Sequence, residues 1–304
     1  MHICIFCCTF VGEMKKKGFF LILLLGFTLS TPMSAGVAEK VDSRFSWSAN
    51  ATVTSNYLWR GLYCGGPSVQ LDATVNYAGF FANMWWNIGA TDWAFTDFNP
   101  ELDLMIGFSR WGLNINYLYC FYFDHYPDGS PTRFFDFRNH PRGGGGTTGE
   151  WRISYRVSDK IPLSCLVAFR TFGRDGYYIS LDNGEKVDIV GDVIPGNVAL
   201  KRAYSTYIEL GYDFALGENW QLDARLGFTP AKSLYTRFEG DFAVTLVGLK
   251  LHKTWALEHC SVKSFAHVML QPWRVTKDNL IKPIAEAGDQ KLNMAVGCSV
   301  AFGN

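Results

Sequence analysis

The side chains best able to bind, polarise or conduct are the acids Asp72, Glu101, Asp103, Glu150, Glu209, Asp213 and Asp223, the bases Arg152, Arg156, Arg170, Arg225 and Lys263, and His267. Each alternates with apolar neighbours. Trp151, Ile153, Tyr155 and Val157 interleave with Glu150, Arg152, Ser154 and Arg156, and Trp220, Leu222, Ala224, Leu226 and Phe228 with Gln221, Asp223, Arg225 and Gly227. A two-residue period puts all these charges on one face of their strands and the apolar residues on the other. Charges gathered on an inner face persist only when paired or wet, so the predicted chemistry is that of a salt-bridged or water-filled interior. Neutralising Arg152 together with Arg156 is expected to change which ions such an interior prefers.

Catalysis is a poor fit to the same residues. Of His125, His140, His252, His259 and His267, only His267 lies well inside a predicted strand, on the polar parity and away from the apolar face. Ser264 has the apolar parity and no base that the sequence can supply, so lipid hydrolase or acyltransferase chemistry is not expected and no catalytic residue is assigned. Cys64, Cys120, Cys165, Cys260 and Cys298 have neither disulfide-framework nor C-x-x-C spacing and read as structural thiols. Asp175, Asp182, Glu185, Asp188 and Asp192 lack the spacing of a calcium loop and read as a solvated acidic loop. The glycine run from Gly143 to Gly146 leads into a strand with no Lys-Ser/Thr pair after it, so it reads as a solvated loop and not a phosphate cradle. No metal and no cofactor is expected.

Strict alternation predicts about twelve strands, near 44–60, 67–78, 80–90, 100–110, 112–123, 149–158, 162–172, 202–214, 219–229, 241–252, 260–271 and 290–302. Several approach ten residues, the length a tilted strand needs to cross a bilayer. In the segment 241–252 the apolar residues fall on both parities, as a bulge or a contact with the barrel wall would cause. Short connections (Tyr77 to Phe80, Arg110 to Gly112, Ser158 to Pro162, Ala215 to Asn219, Thr254 to His259) take turns with longer ones at 61–66, 91–99, 124–148, 173–201, 230–240 and 272–289. The expected fold is therefore all-β: a single antiparallel up-and-down transmembrane β-barrel, with long loops extracellular and both termini periplasmic.

The N-terminal segment is set apart from the strands. Met14-Lys15-Lys16-Lys17, an apolar run from Gly18 to Leu29 and small residues through Ala38 form a secretory signal peptide, with Met14 the expected start. Residues 1–38 are thus the upstream extension plus signal peptide, and 39–304 the barrel. Aromatic residues at 16% exceed what an inner face needs and suit girdles at a bilayer surface. A formal net charge of zero gives no electrostatic reason to expect a nucleic-acid partner.

Ser55-Asn56-Tyr57-Leu58-Trp59-Arg60-Gly61 resembles the signature near the start of TorF-type porins, a family of Gram-negative outer-membrane β-barrels. Pro67-Ser68-Val69-Gln70, Glu101-Leu102-Asp103-Leu104 with Gly107-Phe108, and Tyr117-Leu118-Tyr119 are similar to that family's following strands. The resemblance implies an outer-membrane barrel classed with transport, and supplies no substrate. On residue chemistry alone, Tyr57, Trp59 and Tyr63 are expected as girdle residues, with Arg60 reaching lipid phosphates. The expected function is a narrow pore for an unknown small solute; its partners would be outer-membrane lipids and, during biogenesis, the barrel-assembly machinery. The alternative is a non-conducting surface barrel whose loops 124–148 and 173–201 bind a partner.

Overall fold

The structure, a computed structural model, describes residues 45–89, 100–126, 129–141, 144–187, 196–273 and 291–304. Twelve strands form the wall: β1 Phe45–Thr54, β2 Ser68–Tyr77, β3 Phe80–Gly89, β4 Glu101–Arg110, β5 Leu113–Tyr122, β6 Thr147–Arg156, β7 Leu163–Ser180, β8 Thr206–Ala215, β9 Trp220–Thr229, β10 Ala243–Ala256, β11 Ser261–Leu270 and β12 Leu292–Gly303. Each pairs antiparallel with the one before it. β12 returns to β1, with Phe302 opposite Ala49 and Cys298 opposite Val53, and the sheet closes without an unpaired edge. Asn304 extends that seam: its Oδ1 accepts the Trp47 N–H at 2.9 Å, and its own N–H donates to the Trp47 carbonyl at 3.1 Å.

The apolar parity faces outward. Ile106, Trp151, Ile153, Tyr155, Leu210, Phe214, Val247, Leu249 and Val296 are all exposed on the outer wall. A belt of this size suits an apolar medium and not water. Nine of the strands are ten residues long, which matches the tilted crossing of a hydrocarbon layer.

Connections sort by rim. On one rim, Ala78-Gly79 and Trp111-Gly112 make two-residue hairpins with both residues at positive φ (52° and 95°, 55° and 78°), the mirror-image turns that match strand twist. Among the described residues, the longer connections lie on the other rim.

Two elements depart from the simple alternation. β7 runs to Ser180, well past the residue 172 expected, because its upper half pairs in parallel with Asn139–Pro141 and antiparallel with Val198–Arg202. Much of the segment 173–201 is thus strand and not loop. In β10 the partners step from Gly227 opposite Leu246 to Phe228 opposite Val244, so Thr245 is an inserted bulge residue, and this shifts the parity of the strand.

The connection from β5 to β6 is packed, against the expectation of a solvated loop. Phe134 and Phe137 fold back onto the outward-facing Tyr119 at 5.2 and 6.2 Å, and Phe137 onto Phe172 at 5.1 Å. Gly145 and Gly146 are buried under it, and the Gly145 carbonyl accepts from Arg174 Nε at 2.8 Å. Arg142 and Gly143 lie outside the described residues, as do Asp188 and Asp192. Asp175, expected on the solvated acidic loop, is buried and accepts the Ser205 N–H at 3.0 Å.

The buried carboxylate of Asp136 organises this connection. It accepts from Arg138 Nε and Nη2 at 2.8 Å each and from the Tyr126 hydroxyl at 2.7 Å, and pairs with His140 Nε2 at 2.8 Å. The Arg138 hydrogen bonds hold its carboxyl well below the usual carboxylate range. A depressed pKa stabilises the folded loop fully above the unfolded value of about 3.9, and the contribution is lost only as pH falls toward the lower folded value. Trypsin is therefore expected to leave Arg133 and Arg138 uncut in wild type at pH 5 as at pH 8, and to cut them readily in Asp136→Asn while heat-modifiable gel mobility is kept. Equal cleavage of the two proteins would show that Asp136 does not hold the loop.

Candidate functional site

The segment Ser55–Pro67 leaves the wall and crosses the lumen. The Ser55 N–H donates to the Val296 carbonyl at 2.9 Å and Asn56 Nδ2 to the Met294 carbonyl at 2.6 Å, which carries the chain a little further along β12. It then forms a small hairpin, Tyr57–Trp59 against Leu62–Gly65. Tyr57 packs on Trp85 of β3 at 5.4 Å, and Trp59 on Tyr235 at 5.7 Å. Arg60 and Gly61 turn the hairpin at φ 49° and 86°. A Cβ at Gly61 would run into the Thr245 carbonyl oxygen, so the β10 bulge and the hairpin tip are fitted to each other.

The tip is locked by charge. Arg60 donates twice to Glu150, Nη1 to Oε2 at 2.8 Å and Nη2 to Oε1 at 2.9 Å, and also to the Tyr235 hydroxyl at 2.7 Å. Its guanidinium lies 4.6 Å from the Trp59 ring centre and 4.5 Å from that of Tyr207. Bidentate pairing in a desolvated site is the strong form of the ion pair. Around it the buried side chains Ala168, Tyr177, Tyr207, Leu234, Tyr235 and Phe238 form an apolar core in the lumen at the long-loop rim. Tyr57, Trp59 and Arg60 are therefore not girdle or lipid-phosphate residues, as expected on residue chemistry, but the strut across that end.

Beneath the strut is a cavity of about 710 Å³ lined by Asp72, Glu101, Asp103, Glu150, Arg152, Arg170 and His267 among others. Charges on the two halves of the ring are treated differently. On β6 to β9 they are paired: Arg152 Nε with Glu150 at 2.6 Å, Arg156 with Asp213 at 2.5 Å, Arg225 with Asp213 at 2.7 Å and with Glu209 at 3.7 Å. Arg170 is buried near Thr148 Oγ1, 3.4 Å away. On β2 and β4, Asp72 accepts only from Asn83 Nδ2 at 2.8 Å, and Glu101 and Asp103 have no ion pair among the described residues. Elsewhere on the ring, on β10 and β11, Lys250 lies over the Phe265 ring at 4.3 Å, in register with His267, and Lys263 also has no carboxylate partner among the described residues.

The thirteen residues expected on the inner face all have the inward parity of their strands, seven of them on the cavity and the rest toward the short-turn rim or on the paired half. Arg152 and Arg156 are each bound to carboxylates, whereas Lys250 and Lys263 have no carboxylate partner among the described residues. His252 is a correction: β10 extends to Ala256, and this histidine sits inside it, buried, 3.5 Å from Asp223. Lys250, Asn83, Asn87 and the hairpin itself were missed. Lys250 and His252 were visible as one parity of β10 once the bulge is allowed. Cys64, Cys120, Cys165 and Cys260 are free thiols.

No protein-family model and no curated protein matches the sequence. Among solved structures, the fold is similar to the CymD monoaromatic hydrocarbon channel at 9% identity and a TM-score of 0.34, over 87% of this chain and 89% of that one. A Pseudomonas aeruginosa FadL homologue is similar at 7% identity and a TM-score of 0.28, over 85% of this chain and 89% of its own. Neither likeness bears on ligand or pathway, and the assignment of a closed twelve-strand antiparallel β-barrel rests on the strand register itself.

Proposed function

We propose that this barrel sits in a bacterial outer membrane, long-loop rim outward and termini periplasmic, and acts as a narrow pore for small hydrophilic solutes. The observation that carries the reading is the polar cavity under the Tyr57–Gly65 hairpin, lined by Asp72, Glu101 and Asp103 of β2 and β4 and by Lys250 of β10, none of them in an ion pair among the described residues. Leaving those charges unpaired in a dry interior would be costly, and lumen water removes the cost. The ring size agrees, being wider than an eight-strand barrel filled by side chains and narrower than a sixteen-strand porin. The reading agrees with the TorF-like resemblance of the sequence, and under it outer-membrane lipids and the assembly machinery would be the partners of the apolar wall.

The test is swelling of proteoliposomes in uncharged solutes of graded size. Entry of the smallest solutes with a sharp fall at larger ones is expected; no entry of any solute with a folded barrel would overturn the reading. The unpaired charges give a second expectation. Lys250→Glu combined with Lys263→Glu should shift the reversal potential in a salt gradient toward cation preference, more than Arg152→Gln combined with Arg156→Gln does. The opposite ranking would place the solute path along the paired half of the wall.

A further inference from the structure

We propose that Glu101, Asp103 and Cys120 form a lumen-facing binding site for a divalent cation of the zinc type. One ligand atom from each lies within 4.8 Å of the other two, close enough for small rotamer changes to bring them onto one ion at about 2.0–2.3 Å. The placement follows from the sheet. Glu101 and Asp103 are two apart on the inward parity of β4, and Cys120 stands directly opposite Asp103 on β5.

A separate observation points to a ligand at the same place. Asn87 stands opposite Glu101 on β3, lines the same cavity and is 5% exposed, yet its Oδ1 has no hydrogen-bond partner. Asp103 Oδ1 is likewise buried and unpartnered. A buried acceptor left unpaired is costly, so two of them beside a thiol and a second carboxylate leave lone pairs that a bound cation would fill. The donor set selects the ion: a thiolate with carboxylate and amide oxygens suits zinc-like cations, whereas calcium and magnesium take oxygen ligands alone.

Binding exchanges the Cys120 thiol proton for the metal–sulfur bond, with the proton released to lumen water. The Tyr57 hydroxyl of the hairpin faces Glu101, so a bound cation would sit against the strut. The site does not depend on conduction and goes beyond the pore reading.

The test uses the full barrel, metal-stripped, in detergent micelles, with Zn²⁺ titrated against a chromophoric chelator and Co²⁺ as the spectroscopic probe. One equivalent of Zn²⁺ is expected to bind, and Co²⁺ to show a near-ultraviolet thiolate charge-transfer band. Cys120→Ser should abolish the band, and Glu101→Gln should weaken Zn²⁺ at least about tenfold, the minimum seen when even an outer-shell partner of a metal site is lost. Cys165→Ser, which removes an outward-facing thiol of β7, should change neither. Heat-modifiable mobility confirms that each variant is folded. Wild type that binds no Zn²⁺, a Co²⁺ complex without the thiolate band, or unchanged binding in both Cys120→Ser and Glu101→Gln would overturn the site. A barrel that binds zinc yet admits no solute would overturn the pore reading alone.

Discussion

Glu150→Ala is expected to destabilise the folded barrel by about 3–5 kcal/mol, the cost of leaving buried charge uncompensated. Glu150 is 2% exposed and is the shared carboxylate of Arg60 and Arg152. Its removal strands two guanidinium groups at once, with Arg170 on the neighbouring strand in register with it. Glu150→Gln keeps the shape and one acceptor, so it should fall between alanine and wild type. Urea unfolding of the detergent-solubilised barrel, followed by tryptophan fluorescence and by the gel mobility shift, measures the effect. A loss below about 1 kcal/mol, the scale of a solvated ion pair, would mean that water reaches these charges and that the hairpin is not sealed against the wall.

Arg60→Ala should act chiefly on the lumen and less on the fold, because Glu150 keeps Arg152 as a partner. The variant loses the bidentate pair, the hydrogen bond to Tyr235 and the stacking on Trp59 and Tyr207. Hydrogen bonds to charged groups contribute about 1.5–3 kcal/mol net, enough to loosen the tip of the thirteen-residue connection while its first residues stay tied to β12 and Trp85. Single-channel current is expected to rise severalfold, with added flicker as the loosened tip moves in and out. Gly61→Ala provides an independent lesion of the same strut, through its positive φ and the Thr245 carbonyl, with Arg60 intact. Both variants should open the lumen; an Arg60→Ala channel indistinguishable from wild type would show that the hairpin does not limit the path.

Most of the wall was legible because a two-residue period reports on each strand separately. Outward and inward residues, the two-residue hairpins and the parity change at Thr245 all follow from residues next to one another. The strut was not legible for the same reason. Tyr57 and Trp59 fall on the same parity as Ala51 and Val53, so local pattern extends β1 to residue 60, whereas the chain turns inward to reach Glu150, ninety residues away. The pairing of inner charges was hidden too. Which acid meets which base depends on the stagger between strands, as with Arg225 reaching both Glu209 and Asp213, and alternation carries no information on stagger. Glu101 and Asp103 were visible as a pair on one face, but Cys120 joins them only through the β4–β5 register. The upper half of β7 escaped because its partners, Asn139–Pro141 and Val198–Arg202, come from connections and not from neighbouring wall strands.

The most direct measurement of the central claim is a planar-bilayer recording of the purified wild-type barrel, with heat-modifiable mobility shown on the same preparation. A polar lumen narrowed by the Tyr57–Gly65 hairpin predicts discrete, small current steps that scale with salt concentration. Silent bilayers from protein proved to be folded would contradict it.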